Sequence, residues 1–231
     1  MSDSTSESNS VSSSLSKKAD LRRHFRRQRR KLSPDQQAQN AQALQRNFLR
    51  TLLVIRYHNF ALYSAADGEI NTHAIISKLW EHSKQTALPV LRQHDYSTTT
   101  RTQQMQFAPF TSTTRFVRGK YDLLEPATQP LLTHPQFNCD LIFLPLVAYD
   151  NQGTRLGMGG GYYDRYTSHP RHSKILRVGL AHSIQESQQP LPRNKWDVSL
   201  DAVITEQQAQ TFNRRAHSLL FGRDTKKQVR T

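Results

Sequence analysis

Apolar residues recur along this chain with two different periods. Ser33-Pro-Asp-Gln36 reads as a capping box with proline at the first helical position, and Ala38, Ala41, Leu44, Phe48 and Leu52 follow on one helical side. Short runs rich in β-formers predict strands at about 59–63, 86–91, 105–107, 140–145, 175–181 and 201–204. Among them, Cys139-Asp-Leu-Ile-Phe-Leu-Pro145 is apolar without alternation, as in a strand covered on both faces of a mostly parallel sheet. Further helices are predicted at about 72–82, 162–168 and 206–219. This alternation implies an α/β fold, a Rossmann-like three-layer sandwich with a mostly parallel central sheet. Such sheets bind ligands at the carboxyl ends of their strands, so Glu69, Arg155, Asp164 and Asp197 are expected around one crevice.

Charge adds a second layer to this picture. The formal net charge is +14. Lysine and arginine fill nine of the fifteen positions from Lys17 to Lys31, while Leu21, Phe25 and Leu32 form a narrow apolar stripe. That segment is read as an amphipathic helix docked on the body, with most of its basic residues facing water. The serine-dominated residues 1–16 are expected to be a disordered tail, residues 17–220 a single domain, and 221–231 a polar C-terminal tail. No apolar run reaches the length of a membrane span, and the one cysteine, Cys139, excludes an internal disulfide and suits a reducing compartment. A cytoplasmic protein without a membrane partner is expected, and a monomer.

The chemistry concentrates in Arg155-Leu-Gly-Met-Gly-Gly-Gly-Tyr-Tyr-Asp-Arg165. Four of the nine glycines lie here, at 157, 159, 160 and 161, between an apolar strand and a new helix. Glycines let successive N–H groups converge on an anion, and the following helix adds its positive end. The spacing matches neither of the two common nucleotide-binding glycine fingerprints, because Tyr162 stands where the last glycine of the dinucleotide pattern would be. Arg155 offers a planar cation suited to phosphate oxygens, and Asp164 an oxygen ligand of the kind Mg²⁺ prefers.

Together with Pro145-Leu-Val-Ala-Tyr-Asp-Asn-Gln-Gly153, this stretch closely resembles the signature of the 5-formyltetrahydrofolate cyclo-ligase (5,10-methenyltetrahydrofolate synthetase) family. Lys18-Ala-Asp-Leu-Arg22, followed by Arg29, Arg30 and Leu32-Ser33, is similar to that family's opening helix. Tyr63 and Gly68-Glu-Ile-Asn-Thr72 resemble a second family segment, in which Asn71 replaces the usual aspartate as an equivalent helix cap. Leu88-Pro-Val-Leu91, Met105-Gln-Phe107, Leu124-Glu-Pro126, Leu191-Pro192, Trp196-Asp197, Leu200-Asp201 and Ile204-Thr205 follow in the family's order, so the resemblance spans about residues 17–206.

The resemblance implies ATP- and Mg²⁺-dependent conversion of 5-formyltetrahydrofolate to 5,10-methenyltetrahydrofolate. It places ATP on Lys18, Arg22, Arg155, Leu156, Gly157, Met158, Gly159, Gly160, Gly161, Tyr162 and Tyr163. Folate falls to Tyr63, Glu69, Met158, Gly159, Gly160, Gly161 and Tyr162. Arg155 and Asp164 are the expected catalytic pair, and Asp164 with Asp197 the expected metal ligands. His24, His73 and His182 are read as surface or packing residues. Two other readings stay open: an ATP-independent sugar-phosphate or thioester enzyme using the same loop, and an RNA-binding protein working through the basic helix. No RNA-recognition signature, zinc-finger spacing or leucine heptad accompanies that helix.

Overall fold

The computed structural model describes residues 4–92, 104–119, 124–127 and 137–222. In chain order the elements are α1 (Ser4–Arg30), α2 (Pro34–Leu49), α3 (Leu53–Arg56), β1 (Asn59–Ala61), α4 (His73–Glu81), β2 (Gln85–Arg92), β3 (Gln104–Phe110), β4 (Phe116–Arg118) and β5 (Leu124–Pro126). They continue with β6 (Leu141–Leu144), β7 (Ala148–Asp150), β8 (Arg155–Leu156), α5 (Tyr162–Thr167), β9 (Leu176–Leu180), β10 (Glu186–Ser187), β11 (Ala202–Ile204), β12 (Ala209–Thr211) and α6 (Arg214–Phe221).

Seven strands form the central sheet in the order β12-β11-β9-β6-β1-β2-β3. The inner five are parallel, and antiparallel β3 and β12 close the two edges. Every residue of β6 is buried, which is why its sequence lacks alternation. On one face Leu44 and Phe48 of α2, Leu53 of α3, Ile75 and Leu79 of α4 and Leu220 of α6 pack against Phe60, Leu141, Phe143, Leu176 and Val178. On the other, Ile142, Leu144 and Val203 meet Tyr163 and Tyr166 of α5. This is the three-layer, mostly parallel arrangement expected from the alternation. Among the described residues, no helix is long and apolar enough to cross a membrane.

The chain leaves β1 toward β2 on one side, whereas β6, β9 and β11 build out on the other. The strand order therefore reverses between β1 and β6, and a crevice opens at their carboxyl ends. A small sheet in the order β10-β7-β8 sits beside it. Leu21 and Phe25 of α1 pack there with Val147, Ala148, Leu156 and Leu191.

Local signals explain several boundaries. Both halves of the Ser33/Gln36 capping box form at the start of α2. The Asn71 side chain accepts from the His73 N–H at 2.7 Å in an Asx turn, but the cap of α4 is Thr72, whose side chain makes no capping bond, so Asn71 stands one residue before the capping position expected of it.

Elsewhere the structure differs from the sequence reading. The segment 206–219 is not one helix but β12 followed by α6. The Thr205 hydroxyl oxygen accepts from the N–H groups of Gln207 and Gln208 and reverses the chain. Pairing with β11 then outweighs the helical propensity of the glutamine-rich run. Asn213 restarts the chain as a helix by capping the Ala216 N–H. Helix α1 already begins at Ser4, inside the segment expected to be a disordered tail. Leu32 lies past its end, so the apolar stripe is carried by Leu21 and Phe25 alone.

Phe143 stacks on Phe60 and meets Phe48 edge-on in the middle of the core. Phe143→Ala should cost about 3–5 kcal/mol of unfolding free energy, measured by urea denaturation followed by circular dichroism.

Candidate active site

The glycine segment begins on β8, where Arg155 is held in a hairpin with β7. Buried Asp150 makes that hairpin possible: Oδ1 accepts from the N–H groups of Gln152 and Thr154, and Oδ2 from Leu191 N–H. One carboxylate thus joins the turn to the start of the segment leading to Asp197. Sequence reasoning gave Asp150 no role, although Asp-Asn-Gln-Gly is a turn-forming order.

Arg155 is buried and donates through Nη2 to Asp164 Oδ1 at 2.7 Å. The same oxygen accepts from Val198 N–H at 3.1 Å, so Asp164 fixes the guanidinium and also the loop after Asp197. The Arg155 Nε is buried without a hydrogen-bond partner among the described residues. A Cβ on Gly157 would lie 3.3 Å from Nη1, so the chain passes closely over this cation.

Gly159 and Gly161 both have positive φ, and Gly161 is the residue from which α5 starts. A Cβ on Gly160 would meet the Tyr162 ring at 2.9 Å. Gly159, Gly160 and Met158 are exposed, while Tyr162 and Tyr163 are partly buried against the α5 side of the core. The exposed glycine backbone above a buried cation has the form of an anion cradle.

Helix α1 closes this cradle from outside. Arg22 donates through Nε to the Gly157 carbonyl at 2.8 Å, and its guanidinium lies beside Gly159. Burial lowers its pKa, partly offset by the charge of Asp197. Lys18, one helical turn earlier, is buried and forms a 2.9 Å ion pair with Asp197 Oδ2, which also accepts from Asn194 N–H. Asp164 and Asp197 each keep one carboxylate oxygen, Oδ2 and Oδ1 respectively, without a hydrogen bond among the described residues.

As expected, most basic residues of this segment face water, Lys17, Arg23, Arg27, Arg30 and Lys31 being exposed, but one further along the helix does not. Arg29 has no exposure and donates to the Asp67 and Leu146 carbonyls and to Asp67 Oδ2. Arg26 and Arg30 also bind Asp67.

Asp67 and Gly68 both have positive φ, and the Glu69 N–H closes the turn onto the Ala66 carbonyl at 2.9 Å. Glu69 Oε2 accepts from the Ala66 N–H, while Oε1 stands 3.7 Å from Arg29 Nη2. Burial raises this carboxyl to about 7 against the pull of Arg29. It faces a cleft of about 650 Å³ between α2 and the loop after β1, lined in part by Ala38, Ala41, Asn71 and His73. The Tyr163 phenol lies in the field of both Glu69 and Arg155, which raise and lower its pKa respectively, beneath a larger increase from burial. Tyr163 is thus the group that both Glu69 and Arg155 influence, although no residue of the glycine loop is among those lining the Glu69 cleft.

Tyr63 does not line it. Its ring is buried in the core and its hydroxyl donates to the Ile70 carbonyl at 3.2 Å, which supports the turn from beneath. His182 is likewise buried, its Nδ1 3.0 Å from Asn40 Nδ2, in keeping with a packing role. Trp196, 70% exposed beside Asp197, was given no site role.

Comparison with known proteins places this geometry in context. The chain is 34% identical to the 5-formyltetrahydrofolate cyclo-ligase of Escherichia coli (strain K12) over 181 residues, 78% of this chain and 96% of that protein. The Haemophilus influenzae enzyme of the same name is 34% identical over 188 residues, 81% of this chain and 97% of that one. The NMR structure of Aquifex aeolicus 5,10-methenyltetrahydrofolate synthetase superposes with a TM-score of 0.65 at 26% identity, covering 85% of this chain and 93% of that one. A Mycoplasma pneumoniae 5,10-methenyltetrahydrofolate synthetase shares the fold with a TM-score of 0.60 at 21% identity, covering 82% and 98%. Residues 14–206 match the model of the 5-formyltetrahydrofolate cyclo-ligase family, and the chain belongs to that family of ligases.

Proposed function

We propose that this protein cyclises 5-formyltetrahydrofolate to 5,10-methenyltetrahydrofolate with consumption of ATP, and that the crevice between β1 and β6 is where it does so. The observation that carries this reading is the glycine backbone set between two cations, buried Arg155 on one side and Arg22 of α1 on the other. Family membership supports the substrates. Residues 17–220 form the working domain in this reading, and the single buried thiol of Cys139 suits a cytosolic setting.

In the substrate the formyl group is an amide whose oxygen leaves poorly. Transfer of the γ-phosphoryl group of ATP to that oxygen releases ADP and gives an iminium phosphate. N10 then adds to the activated carbon, and phosphate departs to leave the methenyl bridge. What the protein supplies is position and charge. Arg155 and the amides of Gly157 to Gly161 hold phosphate oxygens, with the unpartnered Arg155 Nε as a ready donor. Arg22 closes over them, and Lys18 exchanges part of its pairing with Asp197 for phosphate. Glu69 accepts from the pterin N–H groups and turns the formyl oxygen toward the γ-phosphate. Met158 and Tyr162 cover the ligand at the loop.

The free oxygens of Asp164 and Asp197 suit Mg²⁺, which takes one or two carboxylates beside phosphate oxygens and water. When bound, the ion neutralises phosphate charge. Asp164 also orients Arg155, so one residue serves two cations.

The RNA-binding reading loses ground because Lys18, Arg22, Arg26, Arg29 and Arg30 are all engaged with the body of the protein. Folate and ATP remain the partners assigned, to a monomer.

Formation of the conjugated methenyl product, followed by absorbance, should require ATP. Arg155→Ala should lower kcat roughly 100- to 1,000-fold while circular dichroism stays unchanged. Absence of product from folded wild-type protein would overturn the reading. Because the Glu69 carboxyl titrates at about 7 and the bound pterin needs it ionised, KM for 5-formyltetrahydrofolate should rise as pH falls below 7. Glu69→Gln should raise that KM and flatten its pH dependence, measured in initial-rate assays at saturating Mg·ATP.

A further inference from the structure

Three arginines of one helix meet a single carboxylate in the turn that carries Glu69, and the cyclisation reading leaves this cluster without a task. Arg26 Nε and Arg29 Nη2 reach Asp67 Oδ2 at 2.8 and 2.9 Å, and Arg30 reaches Oδ1. Asp67 adopts φ +53 to receive them, a conformation that costs a residue with a Cβ. Glu69, two residues on, gets the remainder: its Oε1 stands 3.7 Å from Arg29 Nη2, beyond hydrogen-bond distance.

We propose that Asp67 is a positioning residue for Glu69: by engaging the three arginines it denies Glu69 a full ion-pair partner and leaves that carboxylate open to the donors of the folate ring. The proposal rests on the assignment of Glu69 to the folate.

Arg29 is the pivot. Its Nε and Nη1 are committed to the Asp67 and Leu146 carbonyls, so Nη2 is the part of the fork that can change partner. With the Asp67 carboxylate present, Nη2 bonds to it. Without that carboxylate, Glu69 Oε1 is the nearest anion, and a rotation of the Glu69 side chain closes the remaining gap. A Glu69–Arg29 pair would occupy the acceptor that the substrate needs.

The other groups facing Glu69 are fixed. Arg26 also lies on α1, beside Asp67. The Tyr63 phenol bonds to Ile70, and the Tyr163 phenol approaches from α5. His73 lines the same cleft from α4, and His182 lies behind Arg29, held by Asn40. Burial and the Asp67 charge both raise the Glu69 pKa, whereas Arg29 and Arg26 lower it. Removal of the Asp67 charge therefore lowers it, and transfer of Nη2 lowers it further.

The test is Asp67→Asn, because asparagine tolerates positive φ. Asp67→Gly serves as the second variant, since glycine takes that φ without penalty. The first readout is the Glu69 carboxyl ¹³C signal, assigned with Glu69→Gln and titrated in the free protein. Its midpoint, about 7 in the wild type, should fall by roughly one unit in both variants. The second readout is kinetic: KM for 5-formyltetrahydrofolate should rise about tenfold, the equivalent of one pKa unit, while KM for Mg·ATP stays within about twofold. Arg30→Gln removes an exposed partner of Asp67 that does not approach Glu69, and should leave both readouts unchanged.

An unshifted Glu69 midpoint in folded Asp67 variants overturns the proposal. So does an equal rise in both KM values with a lowered Tm, which would make Asp67 a structural clasp alone. Should the wild type turn over no folate, the functional reading fails, while the titration still decides whether Asp67 governs Glu69.

Discussion

A guanidinium withdrawn from water stays charged only if its donors are met, and Arg29 meets that condition by tying together parts of the chain far apart in sequence. It belongs to the last turn of α1, bonds the turn after β1 through Asp67, and bonds the loop after β6 through Leu146. Those two loops are the walls of the crevice where the strand order reverses. The Leu146 carbonyl also accepts from Gln185, so the segment after β9 joins the same junction. Seating this one cation therefore ties α1 to both walls of the crevice.

The consequence for the site follows along the helix. With Arg29 seated and Leu21 and Phe25 packed on the small sheet, Arg22 and Lys18 fall over the glycine loop and beside Asp197. The helix thus delivers its charge by geometry rather than by excess. Asp164, Asp197 and Asp67 each meet one or more of the buried or half-buried cations. The buried Lys18, Arg29 and Arg155 thus each have a carboxylate partner although the chain as a whole is strongly basic.

Much of this was legible in the sequence, for physical reasons. A short unbroken apolar run rich in β-formers and ended by proline, such as Leu141–Leu144 before Pro145, fits a strand buried on both faces, and the Ser33–Gln36 box names its own helix start. Clustered glycines need backbone freedom, so the loop and its cation Arg155 were readable together. Partnerships were not legible. Arg29 looks like any other member of a basic run, because its burial depends on a carbonyl 117 residues away. Tyr63 sits next to the site in sequence yet points into the core, since strand alternation gives no rule for a residue just past a strand end. The run 206–219 misled because local propensity favours a helix there, whereas the edge of β11 offers a better set of partners. Asp150 escaped notice because its task is to hold backbone, for which many turn residues look alike.

Helix α1 has one more consequence, for the order in which the molecule becomes itself. Its middle makes the ion pair with the longest reach among the described residues, from Lys18 to Asp197, 179 residues apart. Arg22 reaches 135 residues along the chain to Gly157. During synthesis Lys18 and Arg22 can be met only after most of the sheet has been made, whereas Arg26, Arg29 and Arg30 meet Asp67 within 41 residues. The end of α1 nearest Asp67 therefore has partners at hand before its middle does.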